Sequence, residues 1–195
     1  MPSDDRRRQI LLAALHEFAD RGFTGASMAS IAARAQISKA LVFQHFTSKD
    51  QLYADCATMV GEPLLARMEV EMTSGASPFI IPINALHGIF DTLGPDRTAW
   101  RILHDPTVPD TGAAAPVVHS YRERIARFAT CGVTRFLTNL GDTDERDIDA
   151  LIGIWTSAVD AIMNWARNHP DETADDLTDR FGRLINTIFS VGTTR

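Results

Sequence analysis

The sequence has no apolar run that could cross a membrane and no apolar stretch near its N-terminus. A membrane span needs roughly 18 consecutive apolar residues, and the first ten residues, MPSDDRRRQI, are mostly polar or charged. Both absences predict a cytoplasmic protein with no membrane partner. Only two cysteines occur, Cys56 and Cys131. In a cytoplasmic protein they are expected to be reduced, buried thiols, with a redox sensor as the alternative.

Motifs that hold a metal, a phosphate or a nucleophile are also missing. The chain has no His-Glu-x-x-His or Glu-x-x-His pattern, no cysteine cluster, no Gly-rich phosphate loop and no Gly-x-Ser-x-Gly elbow. We therefore expect no enzymatic activity, no cofactor and no metal site. An enzyme without a local motif is the alternative.

Strand signals are absent as well. Apolar residues recur at spacings of three and four, and no Asn-Gly or Asp-Gly turn separates apolar runs. The pattern predicts an all-α fold of about nine helices. They lie near residues 5–21, 28–35, 39–45, from 49 past 59, and then 78–93, 96–104, 116–140, 144–168 and 173–191. Gly22 should stop the first helix, and Pro63 should kink or end the fourth near Gly61.

Acidic residues outnumber basic ones, but unevenly. The net charge is −6; residues 1–54 hold seven basic and five acidic side chains, a net of +2, and the other 141 residues carry a net of −8. We call residues 1–54 the head and residues 55–195 the body. A mildly basic head on an acidic body favours nucleic-acid binding by the head alone.

Three serines predict the helix starts in the head. Ser27, Ser38 and Ser48 precede helical segments as N-caps, and Ser48 with Gln51 fits a capping box. A two-residue break at Gln36 and Ile37 separates two short helices. This arrangement predicts a helix-turn-helix, whose second helix enters the major groove of DNA.

The outward face of that second helix is predicted to read the bases. Ile37, Val42 and Phe46 should pack inward, so that Leu41 can contact a thymine methyl, Gln44 can pair with adenine, and Lys39 can meet guanine or a phosphate. The residues predicted to contact DNA are Ser27, Ser38, Lys39, Ala40, Leu41, Phe43, Gln44, His45 and Lys49.

Lys49 stands at the first position of a predicted helix, where the positive end of the helix dipole disfavours a cation. A DNA phosphate held by the free amides and by the ammonium would reverse this penalty. The alternative is a lysine that extends into solvent, at a cost of only about 0.3–1 kcal/mol.

The head resembles the N-terminal signature of TetR-type transcriptional regulators. The matching residues are Phe18-x-x-x-Gly22-Phe23, Ser27-Met28-x-x-Ile31-Ala32, Ala35, Ile37-Ser38, Phe43-x-His45-Phe46 and Ser48-Lys49-Asp50-x-Leu52. The resemblance implies a homodimer on a pseudo-palindromic operator, usually a repressor released by a small molecule. It covers about a quarter of the chain. A helical ligand-binding or interaction protein with a degenerate head is the alternative.

The sequence departs from that signature at several positions. Gln36 stands where the family usually has glycine in the turn, so either the turn avoids positive φ or it tolerates strain. Phe43 replaces a tyrosine that commonly contacts phosphate, and Ala29 an arginine. These departures imply fewer phosphate contacts.

The body is predicted to dimerise and to bind an effector. Wide apolar faces on the last two helices resemble the family's four-helix dimer interface, although each residue could also be core. The predicted interface residues are Trp155, Val159, Ile162, Phe181, Leu184, Ile185 and Ile188.

A few polar side chains among apolar residues of the body suggest a pocket for an apolar or aromatic, neutral or cationic molecule. The predicted ligand residues are Asn84, His87, Trp100, His104, His119, Trp155 and Asn164, each of which could instead belong to an ordinary core. Ligand would favour a spacing of the two recognition helices that no longer fits DNA.

Overall fold

The computed structural model describes residues 3–73, 77, 81–94 and 97–190. Within these ranges the fold is all-α, as predicted, with nine α-helices, one 3₁₀ turn (Arg97–Ala99) and no strand. The helices are α1 (Ser3–Gly25), α2 (Met28–Arg34), α3 (Lys39–His45), α4 (Lys49–Thr73), α5 (Ile81–Leu93), α6 (Trp100–His104), α7 (Ala114–Asn139), α8 (Glu145–Arg167) and α9 (Ala174–Ser190). None of the described helices is both long and apolar enough to span a membrane.

Two compact units divide the chain. The first contains residues 1–63 and 98–124, and the second contains residues 64–97 and 125–195. The first unit therefore adds α6 and the N-terminal part of α7 to the head. The functional boundary at residue 54 stays a prediction.

An aromatic cluster forms part of the core of the first unit. The ring of Tyr53 makes edge contacts with Phe18 and Phe23, at centroid distances of 4.6 and 5.3 Å. Ile10 and Ile31 are completely buried. Because apolar burial is the main driving force for folding, this cluster fixes α1 and α4 as the support for the short helices α2 and α3.

Gly22 was predicted to stop the first helix, and it kinks α1 instead of ending it. Its φ of 69° and ψ of 173° lie outside the helical region, and one more turn follows to Gly25. A Cβ added at Gly22 would lie 2.9 Å from Oγ1 of Thr107. Glycine is required here by both the backbone conformation and the close approach of that loop.

Pro63 does not end the fourth helix near Gly61, which was one of the two outcomes predicted for it. Helix α4 continues from Lys49 to Thr73 with Pro63 inside it. Pro63 is exposed, whereas Val60, Leu64 and Leu65 around it are buried. Each buried side chain contributes about 1.5–3 kcal/mol, which together offsets the roughly 3 kcal/mol cost of an internal proline.

The later helices differ from the predicted bounds mainly at their ends. Of the predicted cap of α5 at Ser77 and Pro78, Pro78 lies outside the described residues; α5 is described from Ile81, whose N–H donates to the Ser77 carbonyl at 3.2 Å. The predicted helix 96–104 is a 3₁₀ turn followed by α6, and α7 begins at Ala114, two residues before Pro116. Proline fits this first turn because its missing N–H has no partner there in any helix.

The second unit packs α5, α8 and α9 around aromatic contacts. The Phe181 ring lies 5.6 Å from Trp165 and 6.5 Å from Phe90, measured between centroids. Arg97 is buried and donates to the backbone carbonyls of His169 and Glu172. Arg97 therefore ties the 3₁₀ turn to the connection between α8 and α9.

Candidate DNA-binding surface

Serine caps define the start of each short helix in the head. Ser27 Oγ accepts from the backbone N–H of Ser30, and the Ser27 N–H donates in return to Ser30 Oγ, both at 3.0 Å, so α2 begins with a capping box. Ser38 accepts from the Leu41 amide at 3.1 Å. These bonds satisfy amides that the first turn of a helix otherwise leaves unpaired.

The turn between α2 and α3 is built on Gln36 in a left-handed conformation, with φ 55°. Ile37 N–H donates to the Ala32 carbonyl at 3.0 Å, and Gln36 N–H to the Ala33 carbonyl at 3.1 Å. This pair of bonds is a Schellman motif, which usually places glycine at the left-handed position. Of the two possibilities for this turn, the molecule therefore adopts the strained one.

The capping box predicted at Ser48 forms only in part. Ser48 accepts from the Gln51 amide at 3.0 Å. The return bond, from the Ser48 N–H to Gln51 Oε1, is not among the hydrogen bonds of the described residues, and the Gln51 side-chain nitrogen donates to Asp55 Oδ1 at 2.8 Å. The start of α4 at Lys49 follows the prediction, but the reciprocal half of the box is wrong.

Helix α3 presents one buried and one open face. Val42 and Phe46 are buried in the first unit. Lys39, Ala40, Phe43 and Gln44 are exposed, and Leu41 and His45 are half-buried. Phe43 is 46% exposed, and the Lys39 ammonium lies 5.7 Å from its ring centroid. The structure brings these predicted contact residues together on one short helix, with Ser38 as its cap.

Two side chains from the first turns of α1 hold the helix-turn-helix at its helix ends. Gln9 donates to the Ala35 carbonyl at 2.9 Å, where α2 ends. Arg7 donates to the His45 carbonyl at 3.1 Å, where α3 ends, forms an ion pair with Asp55, and lies 4.3 Å from the Phe46 ring centroid. Sequence reasoning counted Arg7 only as a basic charge, because no local pattern shows a partner 38 residues away.

Lys49 does not extend into solvent. Its ammonium donates to the carbonyls of Phe23 at 2.7 Å and Ala26 at 3.1 Å, and it lies 4.3 Å from the Phe23 ring centroid. These carbonyls compensate the unfavourable helix dipole. Since an ammonium has three N–H donors, one remains for a phosphate.

Other cations of the head are also held within the protein. Arg34 bridges Glu17 and Asp20 at 3.0 and 2.6 Å, and Arg21 pairs with Glu17 at 3.0 Å. Arg8 and Lys39 are exposed and belong to none of these ion pairs. The potential that DNA meets is therefore weaker than the number of basic residues suggests.

Three of the seven predicted ligand residues belong to the first unit. Trp100 is buried and stacks on His104 with a centroid distance of 4.2 Å. His119 is exposed and pairs with Glu123 at 3.1 Å. It borders an open cleft of about 430 Å³ that Pro116 and Arg122 also line.

The other four predicted ligand residues belong to the second unit. His87 is half-buried on α5, and its Nε2 lies 3.1 Å from Asp175 Oδ1 of α9. Asn84 and Trp155 are half-buried, and Asn164 is exposed. The ligand assignments stay predictions.

The predicted dimer residues are partly buried by the chain itself. Val159 and Ile162 are buried in the single chain, Trp155, Phe181 and Ile185 are half-buried, and the Ile188 side chain lies outside those described. Leu184 is 51% exposed, and Ile154, which was not predicted, is 65% exposed. Among these, Ile154 and Leu184 are the apolar side chains that offer most surface to a partner.

Comparison with known proteins gives matches in sequence and in fold. The family model described as "Bacterial regulatory proteins, tetR family" matches residues 10–56. The HTH-type transcriptional activator FasR of Mycolicibacterium smegmatis is 51% identical over 105 residues, which cover 54% of this chain and 48% of that protein. The aligned part thus spans about half the length of this curated relative.

Solved structures extend the match along the chain. A TetR-like transcriptional regulator from Rhodococcus sp. RHA1 has 26% identity and a TM-score of 0.71, with 92% of each chain covered. AibR, in complex with isovaleryl coenzyme A and operator DNA, has 19% identity and a TM-score of 0.69, with coverage of 90% of this chain and 95% of that one. The helix-turn-helix, the family-model match over residues 10–56, the sequence match to FasR and the shared fold all support a TetR-type regulator.

Proposed function

We propose that the protein is a transcriptional regulator that binds an operator as a homodimer. The observation that carries this proposal is the open face of α3, where Phe43 and Gln44 are exposed on a helix anchored by Val42 and Phe46. An exposed aromatic side chain on a short capped helix loses apolar contact in water and gains it in a major groove.

The side chains of this face divide into base readers and phosphate contacts. Gln44 can pair with the N6 and N7 edge of adenine, and Leu41 with a thymine methyl. Ser38 uses one lone pair to cap α3, so its hydroxyl can still donate to a phosphate. Lys49 brings its remaining donor to the backbone.

Two copies of the chain would present two α3 helices to successive major grooves about 34 Å apart. We propose that α8 and α9 form the interface, with Ile154 and Leu184 at its surface and the buried Val159 and Ile162 beneath. A two-fold interface uses the same patch on both copies, which suits a pseudo-palindromic operator.

We propose that a small, mostly apolar molecule bound in the body releases the DNA. AibR, a protein of the same fold, has been solved with isovaleryl coenzyme A and operator DNA. Repression is the predicted effect, whereas the relative with 51% identity is an activator; the sign follows from where the operator lies. A cytoplasmic location fits this role.

The test is a titration of the purified protein against duplexes from the DNA that flanks its coding region, with mixed-sequence duplex as competitor and salt varied. We expect preferential, salt-sensitive binding in dimer steps. Gln44→Ala should relax the preference at one base position by about 1–3 kcal/mol, whereas Lys49→Met should weaken all duplexes alike. Binding without any salt dependence or sequence preference would favour the alternative, a ligand-binding protein with a degenerate head.

A further inference from the structure

The backbone of Phe23 is held from both sides. Asp105 Oδ2 accepts from the Phe23 N–H at 2.6 Å, and the Lys49 ammonium donates to the Phe23 carbonyl at 2.7 Å. One residue at the end of α1 thus joins a carboxylate that follows α6 to the lysine that begins α4. Neither the base-reading face of α3 nor the predicted effector residues account for this arrangement.

Asp105 is built into this place by several further bonds. It is only 7% exposed. Its Oδ1 accepts from the amide and the hydroxyl of Thr107 at 2.8 and 2.7 Å, and its Oδ2 also accepts from the Tyr53 hydroxyl at 3.3 Å. Four donors on two oxygens compensate the cost of burying a carboxylate.

Tyr53 and Thr107 extend this network along the first unit. The Tyr53 hydroxyl has one proton, which it shares between Asp105 Oδ2 and the Ile102 carbonyl in α6, the nearer acceptor at 2.8 Å. Burial, and then the charge of Asp105, raise the pKa of Tyr53, so the hydroxyl stays a donor. Thr107 Oγ1 accepts from the Thr24 amide at 3.2 Å, next to the left-handed Gly22. The junction of α1 and α2 is therefore bonded to the residues that follow α6.

We propose that Asp105 is a positioning residue for DNA binding. By holding the Phe23 N–H, it fixes the Phe23 carbonyl that orients the Lys49 ammonium toward a DNA phosphate. This inference rests on the proposed function, in which Lys49 contacts the backbone of the operator.

The physical reason is the cost of ordering a long side chain. A lysine loses rotamer freedom when it makes a contact, and the fixed carbonyls of Phe23 and Ala26 impose that order before DNA arrives. Without Asp105 the Phe23 amide loses its partner, and the junction that carries both carbonyls becomes free to move. Lys49 then contacts the phosphate less often.

The test measures how binding of a short mixed-sequence duplex depends on salt, by fluorescence anisotropy on the full chain. Each phosphate contact contributes about 0.9 to the slope of log K against log salt. Lys49→Met and Asp105→Ala should each reduce the magnitude of the slope by about that amount, and the double variant should lose no more than either single variant. A purely structural role of Asp105 would lower the melting temperature without this non-additive effect on the slope.

Asp110→Ala is the matched control, because it removes an exposed carboxylate from the loop between α6 and α7 and changes the net charge equally. It should leave the slope unchanged. If Asp105→Ala does not fold, Asp105→Asn serves the same purpose, since one amide oxygen cannot satisfy four donors. The salt slope of the Asp105→Asn variant should also decrease in magnitude. Adding Lys49→Met to this variant should cause no further decrease.

Two results overturn the inference in distinguishable ways. In the first, the wild-type protein binds DNA, but the Asp105 variants keep the wild-type salt slope, or their slope losses add to that of Lys49→Met. This result shows that Asp105 does not act through Lys49, but it leaves the proposed regulator intact. No salt-dependent binding by the wild-type protein removes the proposed function and the inference together.

Discussion

The head and the helices α8 and α9 use their side chains in opposite ways. Five of the seven basic residues of the head form hydrogen bonds or ion pairs with other groups of the chain: Arg6, Arg7, Arg21, Arg34 and Lys49. Helices α8 and α9 expose large apolar residues to a greater extent, with Ile154 65% and Leu184 51% exposed against 46% for Phe43 in the head. We therefore infer that the head is preorganised by polar bonds for DNA, and that Ile154 and Leu184 contact a second copy of the chain. Substitutions can test each half of this comparison.

The largest effect is expected from the two phenylalanines of α3. Phe46 is buried and Phe43 is 46% exposed, only three positions apart. Phe46→Ala should lower the free energy of unfolding by about 3–5 kcal/mol, because it leaves a cavity beneath α3. Phe43→Ala should change it by about 0.5 kcal/mol or less, while weakening specific DNA binding. Urea unfolding and anisotropy measure the two quantities, and equal losses of stability would refute this division of α3.

The exposed apolar face of α8 and α9 provides the second test. The double variant Ile154→Glu with Leu184→Glu should weaken dimerisation by about 2 kcal/mol or more, since it places charges in a desolvated interface. Light scattering across a concentration series measures this change. Val70→Glu is the control, because Val70 is 56% exposed on α4, outside the proposed interface. An unchanged dimer in the double variant would place the interface elsewhere.

The third test separates an internally bonded arginine from its exposed neighbour. Arg7→Met removes the bond to the His45 carbonyl and the ion pair with Asp55, so it should cost about 1–1.5 kcal/mol of stability. Arg8→Met, at an exposed position, should stay within about 0.5 kcal/mol. Chemical denaturation of both variants checks the difference. Similar values would mean that Arg7 does not hold the end of α3.

The smallest expected effect concerns the strained turn. Gln36 has a φ of 55°, and a residue with a Cβ pays about 1 kcal/mol or more in that region. Gln36→Gly should therefore stabilise the protein by about 1 kcal/mol, which raises Tm by roughly 2–4 °C in a chain of this size. Gln44→Gly, inside α3, should lower stability by about 1 kcal/mol. A lower Tm for Gln36→Gly would show that the Gln36 side chain stabilises the turn.

Local bonds explain why the sequence predicts the head so well. Ser27, Ser38 and Gly22 act within three or four residues of themselves, through caps and a backbone conformation, so short patterns identify them. The inward positions of α3 follow from the helical period in the same way. The open face of α3 was predicted because two apolar residues on it had no other explanation.

Contacts between distant segments explain what could not be predicted. The side chain of Gln51 could accept from the Ser48 N–H or donate to Asp55, and the geometry of the folded helix favours the bond to Asp55. Pro63 stays inside α4 because its neighbours bury enough apolar surface to offset the cost. The burial of Val159 and Ile162 within one chain depends on which helices pack against α8, and periodicity gives no such information.

The sequence by itself determined the all-α fold, the helix-turn-helix with its serine caps, and the resemblance of the head to TetR-type regulators, because these depend on hydrogen bonds and spacings within one or two helical turns. Only the tertiary structure determined which groups the charged side chains contact. Lys49 reaches a carbonyl 26 residues earlier in the chain, and Asp105 an amide 82 residues earlier. Such partners meet only after the chain has packed, since the free energy of burying a charged group depends on donors and acceptors that distant segments bring to it.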